Sequence, residues 1–282
     1  QPGASPLSVL GRLYPRTDRE PRDVPTVATP AILLRAHPYS ESSRVLRFHT
    51  RELGLLGVMA RGVRRGASGG RGAPGTFGEG TAVIAVRESR DLQSLVEFTS
   101  ENARLGLAGD LRRLAGASIA AELVLRHTGQ EPHAELFDAL SAGLDRLAGS
   151  VPGDVGGDVL ALCWRMVQVL GFGPELSACT MCGRSLEEGE MGWFDLAEGG
   201  VRGGECSPPG GFRRIGPVAR TQLLSLLRGD VPPGLLKPRA HLSLLDDFTA
   251  FHMLGGRRLG SFRFLELPDD AEREHPAGDP GG

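Results

Sequence analysis

Three of the four cysteines in this 282-residue chain are spaced as metal ligands are. Cys179 and Cys182 form a Cys-x-x-Cys pair at the start of CTMCGRSLEEGEMGWFDLAEGGVRGGEC, and Cys206 ends that stretch. Two thiolates of such a knuckle can reach one ion from a tight turn, and structural zinc is normally held by four ligands in a tetrahedron. The spacing therefore predicts a structural zinc site whose fourth ligand has to come from elsewhere.

The fourth ligand stays open on the sequence alone. Candidates are Cys163, a histidine brought in by the fold, or water; no histidine lies between positions 134 and 240. Cys163 lies on the apolar stripe of a predicted helix, where a free cysteine is often a small core residue, so packing and ligation are both open for it. A Cys-x-x-Cys pair without metal is a further alternative.

A catalytic metal is disfavoured by what surrounds the cysteines. Neither an H-E-x-x-H helix nor the deaminase combination of H-x-E with P-C-x-x-C accompanies them. A shell of thiolates also donates much charge, which makes the metal a poor Lewis acid. We interpret the carboxylates of this segment as solvated loop charges rather than as an acid–base pair, namely Glu187, Glu188, Glu190 and Asp195.

Arginines concentrate in residues 26–90. This window holds ten arginines and four glutamates, a net charge of +6 in a chain whose formal total is −2. Guanidinium groups on a β-surface neutralise phosphates, and such binding depends steeply on salt and little on base sequence. The window therefore predicts a DNA-binding surface composed of Arg35, Arg44, Arg47, Arg51, Arg61, Arg64, Arg65 and Arg71.

Strand alternation refines this surface. It directs Arg35, Arg47 and Arg61 outward, while the apolar residues between them pack inward or edgewise. Of the three aromatic rings in the window, Phe48 and Phe77 are expected in the core, so strong base stacking is not predicted. Ordinary solvated charges on a small β-domain are the alternative interpretation.

Signals of catalysis and of membrane insertion are missing from the sequence. The run GASGGRGAPG lacks the G-x-x-x-x-G-K-[ST] pattern of a P-loop. No serine lies in the strand-to-helix context of a G-x-S-x-G elbow or in another context typical of a catalytic nucleophile. We therefore expect a protein that is not an enzyme. No run of about 18 apolar residues occurs, so we also expect no membrane association and a cytoplasmic location.

Hydrophobic patterning predicts an α+β protein with two folded parts. Residues 26–100 contain five apolar runs of strand length, which predict a five-stranded OB-fold barrel with meander order and one long loop. Residues 101–267 change to a period of 3.6 and predict a helical domain. The cysteine stretch interrupts these helices, so we place a zinc module at about 175–212. Residues 1–25 and 268–282 are expected to be poorly ordered tails.

The window of arginines resembles a known family. TPAILLRAHPYSESSRVLRFHTRELGLLGVMARGVRR closely resembles the N-terminal domain of the RecO family of bacterial DNA repair proteins. GFGPELSACTMCG is similar to the family's entry into its first cysteine knuckle, and FHMLGGRRLGSFRFL to its closing helix. The likeness covers roughly residues 26–266. It implies an OB-fold, a helical domain with a zinc module, and a recombination mediator without catalysis.

The resemblance also implies partners. Such proteins bind single- and double-stranded DNA, anneal single strands, join RecR, and remodel single-strand-binding protein so that RecA can load. The helical domain is then expected to present a groove for the acidic, apolar C-terminal tail of single-strand-binding protein. Arg257 and Arg258 are candidates for that groove, and a solvated helix end is their alternative interpretation.

The chain departs from the family pattern at one ligand position. Zinc-bearing members commonly end the module with GG-x-x-C-x-x-C, whereas Gly203 stands here where the third cysteine would be. The resemblance thus carries over Cys179, Cys182 and Cys206 as ligands of a degenerate zinc site, with Cys163 the best substitute by elimination. Two other classes of function remain as alternatives: a metal-dependent nucleic-acid-processing enzyme, and a protein adaptor whose basic surface meets an acidic partner.

Overall fold

The structure is a computed structural model that describes residues 25–41, 43–61, 75–87, 89–206 and 212–265. The chain forms two compact units. The first contains the chain up to Arg104 together with residues 128–141, and the second contains residues 105–127 and those from 142 onward. The chain therefore leaves the first unit at Arg104 and returns to it once.

The first unit is a closed barrel of five strands. These strands are β1 (Thr26–Pro38), β2 (Ser43–Thr50), β3 (Gly54–Arg61), β4 (Glu79–Ala85) and β5 (Leu92–Asn102). Their order around the barrel is β1-β2-β3-β5-β4, and β4 pairs with β1 to close it. The predicted five-stranded OB-type barrel is confirmed.

The strand order departs from the predicted meander after β3. β3 pairs with β5 in parallel, with Gly57 opposite Leu92, and β4 pairs instead with β1 and β5. Parallel neighbours cannot be joined by a tight turn and need a crossover connection. The order of the apolar runs along the sequence does not reveal this crossover.

Alternation along the strands fills the barrel. Leu46, Phe48 and Val58 are fully buried and belong to one apolar cluster. The rings of Phe48 and Phe98 stack with their centroids 5.6 Å apart. Because β2 sends every second residue into this cluster, the residues between them, including Arg47, lie on the outer side.

Residues 128–141 return to the barrel at the turn between β2 and β3. The Leu55 N–H donates to the Gly129 carbonyl at 2.7 Å. Gly54 has a φ of +66°, and a Cβ on it would lie 2.7 Å from that same carbonyl oxygen. The turn thus needs glycine both for its left-handed backbone and for the close approach of a second segment.

The helices follow the predicted periodic segments. They are α1 (Leu111–His127), α2 (Ala134–Gly149), α3 (Val155–Val169), α4 (Pro217–Arg228) and α5 (Pro238–His252). Asp110 caps α1, since its Oδ1 accepts the Arg112 N–H at 2.8 Å. α1 approaches α3 closely at Gly116, where a Cβ would lie 2.5 Å from Val159. The predicted helical domain after the barrel is confirmed.

A small sheet is inserted between α3 and α4. Its strands are β6 (Gly192–Asp195), β7 (Gly200–Arg202) and β8 (Arg213–Ile215), with β6 in the centre. Phe194 of β6 lies against Phe248 of α5, whose ring centroid is 5.6 Å from that of Trp164 in α3. The cysteine segment therefore shares the apolar core of the helical unit.

In the described part of the chain, no helix combines the length and the apolar character needed to cross a membrane.

Candidate nucleic-acid interface and metal centre

The outer face of β1 and β2 carries two of the predicted arginines side by side. The register shifts between Leu33 and Arg35, which leaves Leu34 buried and Arg35 exposed. Arg35 then stands directly opposite Arg47 in the β1–β2 ladder. Two guanidinium groups on neighbouring strands thus lie side by side on this face of the barrel.

Arg47 lies across the neighbouring strand β3. Gly57 is its partner in the β2–β3 ladder, and Arg47 Nη1 is 3.6 Å from the position that a Gly57 Cβ would take. Because glycine has no side chain, it leaves the guanidinium room to lie over β3. We call Arg35, Arg47 and Gly57, which follow one another across three strands, the basic row.

The other predicted arginines have different surroundings. Arg61 is exposed at the end of β3, on the same face as Gly57. Arg44 pairs with the buried Ala60, so it points to the opposite side of the sheet from Arg47 and is half-buried at the barrel end. Three others lie outside the described residues: Arg64, Arg65 and Arg71.

Arg51 is bound to a carboxylate of its own unit. Its Nε and Nη2 donate to the two oxygens of Asp138, each at 3.0 Å. The hydrogen bond from Arg51 lowers the pKa of Asp138 below its ordinary value. Because Arg51 is engaged in this bidentate pair, we do not count it in the basic row. The pair links the end of β2 to α2.

The aromatic rings of the arginine window are buried or exposed as the sequence predicted. Phe48 and Phe77 are buried, whereas Tyr39 is 70% exposed in the connection between β1 and β2. Base stacking by the described residues of this window is therefore limited to Tyr39.

Cys179 and Cys182 lie in a tight turn that the backbone closes twice. The Cys179 N–H donates to the Arg184 carbonyl, and the Gly183 N–H donates to the Cys179 carbonyl, both at 2.8 Å. Gly183 has a φ of +74°, the left-handed conformation that favours glycine. The sequence CTMCG thus folds into the knuckle that its cysteine spacing predicts.

Strand β7 brings the third cysteine to this knuckle. The Thr180 N–H donates to the Val201 carbonyl at 3.0 Å, which attaches the knuckle to β7. Cys206 follows in the short 3-10 turn Gly204–Cys206. The sulfur atoms of Cys179, Cys182 and Cys206 all lie within 4.8 Å of one another. Such spacing suits three thiolates around one ion at metal–sulfur distances of about 2.3 Å.

Backbone N–H groups stabilise an ionised sulfur in this cluster. The Gly203 N–H donates to Cys179 Sγ at 3.3 Å. Burial opposes ionisation of Cys179, but hydrogen bonds from the N–H groups of Gly203, Cys182 and Met181 outweigh it and lower the pKa of Cys179 to about 6. Hydrogen bonds to Cys182 and Cys179 raise the pKa of Cys206 to about 11. Three soft sulfur donors fit three positions of a thiophilic metal ion.

Cys163 is not brought to the cluster. Its thiol is fully buried in α3 and lies 3.8 Å from the Gly116 carbonyl of α1. Burial raises the pKa of Cys163 to about 12. The expectation that Cys163 supplies the fourth ligand is therefore not met, because its place on the apolar stripe of α3 directs it into the helical core.

Glu190 and Asp195 are not the solvated charges expected from the sequence. Glu190 accepts hydrogen bonds from Arg184 Nη2 at 2.7 Å and from the Gly204 N–H at 2.8 Å. The bond from Arg184, followed by backbone N–H donors, lowers the pKa of Glu190 to about 2. Asp195 is buried and pairs with Arg202. Nothing in the spacing of the loop glutamates distinguishes Glu190 before the fold is known.

A groove of about 520 Å³ lies beside β8, α4 and α5 in the helical unit. Apolar side chains of Met191, Val218 and Leu236 line it and are exposed to solvent. Arg214 and Lys237 line it as well. The groove therefore combines an apolar floor with positive charge, which suits a peptide carrying both acidic and apolar side chains.

Side-chain hydrogen bonds fix the wall of this groove. Gln222 of α4 donates to the Gly234 carbonyl at 3.1 Å and accepts the Leu236 N–H at 3.2 Å, which holds the α4–α5 loop. Arg257 and Arg258, the candidates that the resemblance offered for this groove, do not line it, and Arg258 is bound to Asp246 and Asp247. The available sequence signal was the arginine pair that precedes Ile215.

Together these features define a class of protein. It joins an OB-like barrel with arginines on its outer face to a helical unit that contains a three-cysteine cluster. Family models match the two parts in this order. The model described as recombination protein O N terminal matches residues 25–103, and the one described as recombination protein O C terminal matches residues 108–224.

Individual relatives agree with this match. The chain is 34% identical over 245 residues to the DNA repair protein RecO of Anaeromyxobacter dehalogenans strain 2CP-C, covering 83% of this chain and 94% of the relative. It is 30% identical over 266 residues to the DNA repair protein RecO of Desulfatibacillum aliphaticivorans, covering 89% and 100% respectively. The chain belongs to the RecO family of DNA repair proteins, which confirms the resemblance noted in the sequence.

Proposed function

We propose that this protein is a non-enzymatic recombination mediator. It binds and anneals single-stranded DNA, also binds duplex DNA, and acts with RecR to load RecA onto DNA covered by single-strand-binding protein. Membership of the RecO family supports the later steps. The observation that best supports the DNA-binding step is the basic row, where Arg35 and Arg47 lie opposite each other on the outer face of a rigid barrel.

The geometry of the row favours a polyanion over a single small anion. The two arginines are on neighbouring strands, and Arg61 continues the same face further along β3. Adjacent strands are about 4.8 Å apart and residues along a strand rise about 3.3 Å each, so the guanidinium groups span more than one phosphate. A chain of phosphates can neutralise all three, and each neutralised phosphate releases condensed counterions.

The test is the salt dependence of single-strand binding. We expect the double variant Arg35→Gln and Arg47→Gln to bind a single strand more weakly and to reduce the slope of log K against log salt by about 0.7 for each arginine lost. The matched control is Arg51→Gln, which removes one arginine from the same barrel but one that is bound to Asp138. Fluorescence anisotropy of a labelled oligonucleotide at several salt concentrations measures both slopes.

Two results would contradict this assignment. The double variant could keep the full salt slope, or Arg51→Gln could reduce the slope as much per arginine as the double variant does. Circular dichroism of each variant checks that the barrel is intact, so a loss of slope is not mistaken for unfolding.

We further propose that the groove beside β8 receives the C-terminal tail of single-strand-binding protein. The tail is acidic and apolar, and the groove offers Arg214 and Lys237 beside Met191, Val218 and Leu236. Positive charge at the rim attracts the tail, while burial of an apolar side chain in the groove supplies most of the affinity.

We propose Zn²⁺ as the metal of the cysteine cluster, with a structural role. Thiolate donors in a tight knuckle favour zinc over hard ions such as magnesium and calcium. Cys179, Cys182 and Cys206 would hold it. Bound there, zinc would add one link among others between the first knuckle and the turn after β7, and it would contribute no reaction step.

A further inference from the structure

The three-cysteine cluster has no fourth protein ligand among the described residues. A Cβ on Gly203 would lie 2.7 Å from Glu190 Oε1 and 3.1 Å from Arg184 Nη2. Gly203 opens the turn that ends at Cys206, since its carbonyl accepts the Cys206 N–H at 3.0 Å. In a Cys-x-x-Cys knuckle this first position carries a ligand. The Arg184–Glu190 pair, together with Leu186 Cδ2 at 2.9 Å, thus occupies the space of a ligand side chain.

The pair connects the same pieces of chain that a metal connects. Arg184 follows Cys182 by two residues in the first knuckle, and its guanidinium donates to both oxygens of Glu190. Glu190 in turn accepts the N–H of Gly204, two residues before Cys206. One carboxylate therefore links both cysteine-bearing turns.

The Arg184–Glu190 pair is partly buried and held by several hydrogen bonds, and an ion pair with these features contributes to stability. The Arg184 and Glu190 side chains are 37% and 15% exposed, so water only partly screens them. The contact is bidentate, and the carboxylate is also held by the N–H groups of Gly204 and Glu187. A charge pair fixed by several hydrogen bonds loses less side-chain entropy than an isolated surface pair.

We infer that the Arg184–Glu190 ion pair replaces a fourth ligand as the cross-link of the cysteine module, residues 177–206. The module then keeps its fold when the metal is removed. A metal held by three thiolates keeps one coordination position for an exchangeable small donor such as water or imidazole, and Cys182 at the cluster is exposed to solvent. The inference is independent of DNA binding.

The first test follows the fold of the module without metal. The full chain is stripped with a chelator, and amide hydrogen exchange is measured over residues 177–206. We expect the unsubstituted protein to keep its protection, Glu190→Ala to lose it, and Glu190→Gln, which retains an acceptor for the Gly204 N–H, to lose part of it. The control is Glu188→Ala, which removes an exposed glutamate of the same loop.

Two outcomes of this test would overturn the inference. One is loss of protection in the unsubstituted protein once metal is removed, which would make the metal the cross-link. The other is full protection of metal-free Glu190→Ala, which would make the ion pair dispensable.

The second test probes the open coordination position with Co²⁺ as a spectroscopic substitute. We expect the visible spectrum of the Co²⁺-loaded protein to change on addition of imidazole. The double variant Gly203→Cys and Glu190→Ala supplies a fourth thiolate and removes the carboxylate in its way, so its spectrum should not respond and its fold should depend on metal. A spectrum of the unsubstituted protein that does not respond to imidazole contradicts the open position.

Discussion

His49 is a buried imidazole in the barrel whose two ring nitrogens have no hydrogen-bond partner among the described residues. Its ring centroid lies 5.9 Å from that of Phe137. Burial, followed by the charge of His133, lowers the pKa of His49 from 6.5 to about 4. The folded barrel therefore holds His49 neutral over a pH range in which the unfolded chain protonates it.

The barrel should lose stability as the pH falls from 6.5 to 4. Below pH 6.5 the imidazole of His49 is protonated in the unfolded chain but not in the folded one. The free energy of unfolding therefore falls by about 1.4 kcal/mol for each pH unit in this window, or by roughly 3 kcal/mol in total. Denaturant unfolding at a series of pH values measures the effect. His49→Phe should remove most of this slope while the exposed His37→Gln keeps it; equal slopes in both variants would contradict the assignment.

At the scale of elements, the turn between β2 and β3 depends on Gly54. Alanine there must adopt a left-handed backbone, which costs about 1–2 kcal/mol, and its Cβ would meet the Gly129 carbonyl at 2.7 Å. We expect Gly54→Ala to destabilise the barrel by more than about 2 kcal/mol in chemical denaturation. Gly129→Ala is the control because a Cβ on Gly129 meets nothing within 4 Å. Equal stability of the two variants would refute this account of the turn.

Local patterns predicted the elements because local physics produces them. The alternation of Leu46, Arg47 and Phe48 indicated which side of β2 faces the core, and the burial of these residues agrees. The Cys179–Cys182 spacing likewise indicated a knuckle, since a tight turn closes within a few residues.

Features that depend on distant pairing could not be predicted in the same way. The parallel pairing of β3 with β5 and the opposition of Arg35 and Arg47 depend on register, which no single segment specifies. The sequence around Cys163 is compatible with a core residue and with a metal ligand, and only the packing of α1 against α3 shows that it is a core residue. The ion pair of Glu190 with Arg184 depends on the path of the loop between them, which the sequence does not specify.

At the scale of the whole molecule, the proposed ligands are divided between the two units. The basic row belongs to the barrel unit, and the groove beside β8 belongs to the helical unit. Contacts to phosphate and contacts to an acidic, apolar tail rest on different side chains. The proposed mediator can therefore hold naked DNA and recognise protein-covered DNA by separate interactions, and each can be removed without the other.

Substitutions in the groove should separate these two activities. We expect the double variant Arg214→Ala and Leu236→Ala to bind a bare single strand normally but to weaken binding of the isolated tail peptide of single-strand-binding protein roughly ten-fold or more. The variant should anneal bare strands at the normal rate and lose annealing of strands coated with that protein, whereas Arg35→Gln with Arg47→Gln should impair both. Arg228→Ala, at an exposed arginine of α4 that does not line the groove, is the control. A groove variant that anneals coated strands as fast as the control would show that the tail binds elsewhere.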